Sequence, residues 1–167
     1  MTAATLLRVV RLALPLLAAA IAAATLAAGA AADGDPASDI LLTQNYYLPY
    51  PEPAKEATAP LKESVAAAFA KGYRVKVAII ATKTDLGTIP ELFNKPTQYA
   101  KFLGSEIKML YIGPLLIVMP EGFGIWDGGR STAAEERVLD SLSVKDDSPG
   151  GLAAAADEAV RKLTATG

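Results

Sequence analysis

The chain has 167 residues, of which 16 are basic and 18 acidic, and it contains neither cysteine nor histidine. Those two absences exclude disulfides, thiolate nucleophiles, Ser-His-Asp and Cys-His catalysis, zinc sites built on imidazole or sulfur, and a lipid anchor on an N-terminal cysteine. Carboxylate, Lys, Arg, hydroxyl and backbone chemistry remain, in a chain long enough for one domain and short for two.

Arg8 and Arg11 precede a mostly apolar run from Leu12 to Ala28, and Ala30-Ala31-Ala32 stand before Asp33. Positive charge, apolar segment and small residues in that order predict a signal peptide over residues 1–32, cleaved between Ala32 and Asp33. The protein is then exported: secreted, periplasmic or at the cell surface. The alternative is a leader retained as a membrane anchor, although the run is short, rich in alanine and holds Pro15. The leader takes two of the basic residues and no acid, so the remainder is mildly acidic. No basic stripe interleaved with aromatics follows, and nucleic acid is not an expected partner.

Residues 33–39 (DGDPASD) read as a polar linker, and a single domain over residues 40–167 begins with Ile40-Leu41-Leu42. Asn45 to Pro53 holds three prolines among Tyr46, Tyr47 and Tyr50. The prolines forbid a helix or a central strand, so this is an extended loop whose tyrosines either pin it to the domain or meet a ligand. From Pro60, Leu61, Val65, Ala68 and Phe69 form one stripe of a helix, capped by Thr58 and ended by Gly72. Arg74 to Ala81 reads as a strand entering a covered sheet, and Gly87 lets the chain turn after Leu86.

Thr88-Ile89-Pro90-Glu91 matches a capping box with proline in the first turn. The helix it starts should break at Asn94 and resume at Pro96, with Tyr99, Phe102, Leu103 and Ile107 on one face. Lys108 to Tyr111 is a short strand candidate, and Leu115 to Met119, five bulky apolar residues in a row, a central strand. After Pro120-Glu121-Gly122, Phe123 to Trp126 should return as a hairpin. Thr132 and Glu135 suggest a second capping box and a short helix. Leu152, Ala156, Ala159, Val160 and Leu163 mark a final amphipathic helix, with Asp157–Arg161 and Glu158–Lys162 pairs on its outer face. The expected fold is α/β: a small sandwich with a mixed central sheet, helices packed against it and at least one right-handed crossover.

Val75 to Ala81, the Asp85-Leu86-Gly87 turn, the aromatic and Leu helix face, Gly113 ahead of Leu115 to Val118, and Gly122-Phe123-Gly124 together resemble the TPM domain over roughly residues 39–130. The resemblance implies a small α/β sandwich outside the cytoplasm, in a family often tethered by a membrane helix after the domain. Some members are credited with phosphatase activity and calcium binding, others with assembly roles in membranes. Tyr111 and Ile112 stand where the family commonly has an acidic residue, and no catalytic residue carries over.

Gly124 to Ser131 nearly fits the phosphate-cradling pattern G-x-x-x-x-G-K-[ST], with Arg130 in the Lys position. A Gly-rich turn after a hairpin and a simple anion site are its two readings. Any metal must sit on oxygen ligands. Asp33, Asp35 and Asp39 lack the Gly and Glu that a calcium loop needs, and Asp146-Asp147 suits helix capping. Asp85 and Asp127, each after a strand, are the better ligand candidates.

Two functions follow. The first is a non-catalytic envelope module that binds a protein partner or ligand through Tyr46, Tyr47 and Tyr50 and the Phe123–Arg130 turn, with no cofactor and no membrane contact except through a retained leader. The alternative is a metal-assisted hydrolase or phosphatase of the TPM type, with calcium as the candidate ion. It requires Asp85, Asp127 and Arg130 to converge in one pocket.

Overall fold

The computed structural model describes residues 34–166, so the expected signal peptide and its cleavage site lie outside the described residues. In chain order the elements are α1 (Pro36–Thr43), β1 (Tyr46–Tyr47), α2 (Lys55–Ala70), β2 (Lys76–Ile79), α3 (Pro96–Ile107), β3 (Pro114–Met119), β4 (Gly122–Asp127), α4 (Ala133–Asp140) and α5 (Pro149–Thr166). Two short 3-10 turns, Lys83–Leu86 and Pro90–Leu92, separate β2 from α3. The strands form one mixed sheet in the order β1-β2-β3-β4, parallel except for the β3–β4 hairpin.

The expected α/β sandwich is present, with helices on both faces. Residues of β3 alternate between two cores, and every one of them is buried, as a run of bulky apolar residues requires. Leu116 and Val118 join Val77 and Ile79 beneath α2 and α5. Leu115, Ile117 and Met119 join Ala78 and Ile80 beneath α1 and α3. Strands β1, β2 and β3 therefore step in one direction across the sheet while α2 and α3 lie on opposite faces. Their two crossovers consequently have opposite hands, against the strong preference for right-handed connections.

Several local expectations are corrected. Helix α1 begins at Pro36, inside the stretch read as linker, because Asp35 caps it by accepting from the Ala37 amide and proline fits the first turn. Tyr46 and Tyr47, read as loop, form a two-residue edge strand, a place the following prolines permit. Helix α2 starts at Lys55, not near Pro60; Thr58 is buried within it and caps nothing at its start. Thr88 and Glu91 close no capping box, and only a 3-10 turn forms before Pro96; the box is made instead by Thr82 and Asp85. Thr132 likewise caps no amide, its hydroxyl meeting the Glu136 carboxylate at 2.8 Å. Lys108 to Tyr111 is a turn rather than a strand, because the Leu110 and Tyr111 amides both bond back to the Ile107 carbonyl. Asp157 is buried rather than outward, drawn under the α2–α5 contact while Arg161 pairs with it from the surface.

Two glycines allow close layer contact. A Cβ on Gly104 of α3 would overlap the Trp126 ring, and one on Gly124 of β4 would strike the Pro96 carbonyl. Gly124 thus serves helix–sheet packing inside a strand.

Candidate functional site

The loops after β1 and β2 leave the sheet toward opposite faces, β1 leading to α2 and β2 to α3. The crevice outside the carboxyl ends of two such strands is where open α/β sheets place ligands. Asp85 sits there. It accepts from the Ala81 amide (3.0 Å), the Thr82 amide (2.8 Å), the Thr82 hydroxyl (3.1 Å) and, across the crevice, the Tyr50 amide (3.0 Å). With four internal donors and 2% exposure, the carboxylate is committed to holding the two loops together.

The three tyrosines divide between packing and display. Tyr47 is buried and donates its hydroxyl to the Asp85 carbonyl at 3.3 Å. Burial, reinforced by the charges of Asp85 and Asp35, raises it to about 12, so it stays neutral. Tyr46 is half-buried, with the Lys62 ammonium 5.2 Å from its ring centroid. Tyr50 is 84% exposed. Beside it runs a groove of about 350 Å³ bounded by Pro36, Ile40, Tyr46, Leu48, Pro49 and Tyr50, between α1 and the proline loop along edge strand β1.

Asp35, within the stretch expected as linker, joins this end of the molecule. It is buried and takes the Tyr99 hydroxyl at 2.7 and 2.8 Å on its two oxygens. Burial raises its pKa to about 6, helped by the charges of Glu106 and Asp39 and opposed by the bonds from Tyr99 and Ala37. The detectable signal was Asp35-Pro36, an N-cap followed by proline at the first helical position.

Asp127 and Arg130 lie elsewhere. Asp127 ends β4 opposite Pro114, the first residue of β3, and so stands at the amino ends of the parallel strands while Asp85 stands beyond their carboxyl ends. Asp85, Asp127 and Arg130 therefore do not converge. The Arg130 guanidinium meets the Asp127 carboxylate at 2.6 Å, and its amide bonds the Asp127 carbonyl at 2.8 Å. Gly128 and Gly129, at φ 57° and 85°, make the turn that brings them together. The helix needed for a phosphate cradle starts only at Ala133.

Among the described residues no group of three or more acidic side chains is placed to hold a metal ion. Comparison of the chain with protein-family models, with curated proteins and with solved structures gives no match.

Proposed function

We propose that this protein is a non-catalytic binding or assembly module of the cell envelope, whose groove beside Tyr46, Leu48 and Tyr50 receives an extended segment of a partner protein. The observation that carries this reading is the pairing of a highly exposed Tyr50 with a saturated Asp85. The ligand crevice of the sheet is closed by the chain itself, whereas the apolar groove next to it is open. Strand β1 lies at the sheet edge, which suits main-chain contact with an extended peptide, and proline-stiffened aromatics lose little entropy on binding. Export follows from the order of charge and apolarity in residues 1–32.

The second reading, a TPM-type metal-assisted phosphatase, rests on the resemblance alone and is opposed by the separation of Asp85 from Asp127 and Arg130. Two measurements distinguish them. A photo-crosslinking residue at Tyr50, introduced in producing cells, should give adducts that disappear when Ile40→Ser is added, while the same residue at Glu63 gives none. Phosphomonoester hydrolysis with calcium or magnesium should stay at background. Turnover abolished by Asp85→Asn or Asp127→Asn would install the phosphatase reading in its place.

A further inference from the structure

The end of the sheet opposite Asp85 carries a different kind of surface. The loop between α3 and β3 projects Met109, Leu110 and Ile112, which are 84%, 76% and 74% exposed, and Leu42 of α1 lies with them. Leu42, Leu110 and Ile112 border a hollow of about 440 Å³ together with Arg74 and Lys76. Folding has not hidden these side chains, although the same chain buries every residue of the adjacent strand β3.

The loop is held rigidly. The Leu110 and Tyr111 amides bond the Ile107 carbonyl at 3.0 and 2.9 Å. The Tyr111 hydroxyl donates to the Pro114 carbonyl at 2.7 Å and also faces the Arg74 carbonyl. The Lys76 ammonium beneath it is 5.1 Å from the Tyr111 ring and donates to the Gln44 carbonyl at 2.6 Å and to that of Leu41. Two of the loop's amides, those of Leu110 and Tyr111, are thus already satisfied, which lowers the cost of moving that part of the tip out of water.

Two cations flank the tip. Arg74 borders the hollow beside it, its guanidinium 5.6 Å from the Phe69 ring, and Lys108 is the first residue after α3, in the loop itself; both are exposed, and neither is in an ion pair among the described residues. The nearby acid Asp127 is taken up by Arg130. In a chain of net charge −2, cations gathered around an apolar tip are a local feature rather than a reflection of composition.

We propose that this end of the domain docks on an anionic lipid surface, with Met109, Leu110 and Ile112 entering the headgroup region and Arg74 and Lys108 facing lipid phosphates. Strongly exposed apolar side chains flanked by free cations match the two attractions that hold peripheral proteins on such bilayers. A second copy of this chain docked tip to tip would set the same cations against these, so self-association is the poorer occupant. The contact lies at the other end of the sheet from Tyr50, past the near end of the groove at Gln44.

Because the chain has no cysteine, a single Leu110→Cys substitution places an environment-sensitive fluorophore at the tip alone. The full chain is mixed with vesicles of about one-third phosphatidylglycerol in phosphatidylcholine, with brominated lipids as quenchers. The label at position 110 should shift to the blue and be quenched, and a label at Tyr50→Cys should do neither. Raising salt to about 0.5 M, or adding Arg74→Gln with Lys108→Gln, should weaken the apparent partition about tenfold. A label at 110 that stays unquenched at saturating lipid would overturn the proposal, as would equal responses at 110 and 50 or equal affinity for pure phosphatidylcholine. A shift that appears without vesicles and grows with protein concentration would instead assign the tip to a second copy and also overturn it.

Discussion

The two ends of the parallel strands use carboxylates in opposite ways. Beyond the carboxyl ends, Asp85 is enclosed and gathers four donors from two loops. At the amino ends, Asp127 pairs with one arginine whose side chain remains 67% exposed. A buried carboxylate that satisfies backbone amides from two loops holds structure, because removing it strips several donors of one charged acceptor at once. Asp127 is buried as well, but its side chain is shown with one partner, an exposed guanidinium that water can take over, so its loss should cost much less. Sequence position after a strand made the two look alike, and their surroundings separate them.

That contrast sets the expected size of each perturbation. Asp85→Ala should cost about 4 kcal/mol in urea unfolding, since it orphans three amides and releases the Tyr50 loop; a loss under about 1 kcal/mol would make Asp85 the equal of Asp127. Gly124→Ala should cost about 3 kcal/mol by driving α3 off the sheet at Pro96, measured the same way.

Asp35 gives a pH-dependent test of the enclosed end. Its pKa is raised from 3.8 unfolded to about 6 folded, so the folded state holds a proton that the unfolded chain releases. Stability should therefore fall as pH rises from about 4 to 6, by an amount on the order of 2 kcal/mol from this group, and level off above. Asp35→Asn keeps the cap and the Tyr99 contact while removing the titration, so thermal melts across that window should lose this component of the slope. An unchanged slope would place the proton elsewhere. Asp127→Ala should cost no more than about 1 kcal/mol, and the comparison fails if it costs as much as Asp85→Ala.

Legibility followed burial. Leu115 to Met119 announced a central strand because five bulky apolar residues have one plausible environment, and the stripes of α3 and α5 were equally readable. Short polar segments misled, since their roles depend on partners distant in sequence. Asp35 read as linker because Tyr99, 64 residues away, was invisible from the chain alone. Lys108 to Tyr111 looked like a strand by composition, and only the Ile107 carbonyl closing the turn decides otherwise. For the candidate site, the sequence supplied Tyr50, Asp85, Asp127 and Arg130 as chemistry-bearing residues, but strand direction alone distributes them to opposite ends.

The brevity of β1 carries a consequence of its own. Two residue pairs attach it to β2, while six attach β4 to β3. The outer border near Tyr46 is accordingly the weakest seam in the sheet, where amide protons exchange with solvent before the interior strands open. A partner laid along that border would protect those protons, so the groove's occupancy has its own signature in exchange kinetics, readable without knowing the partner's identity.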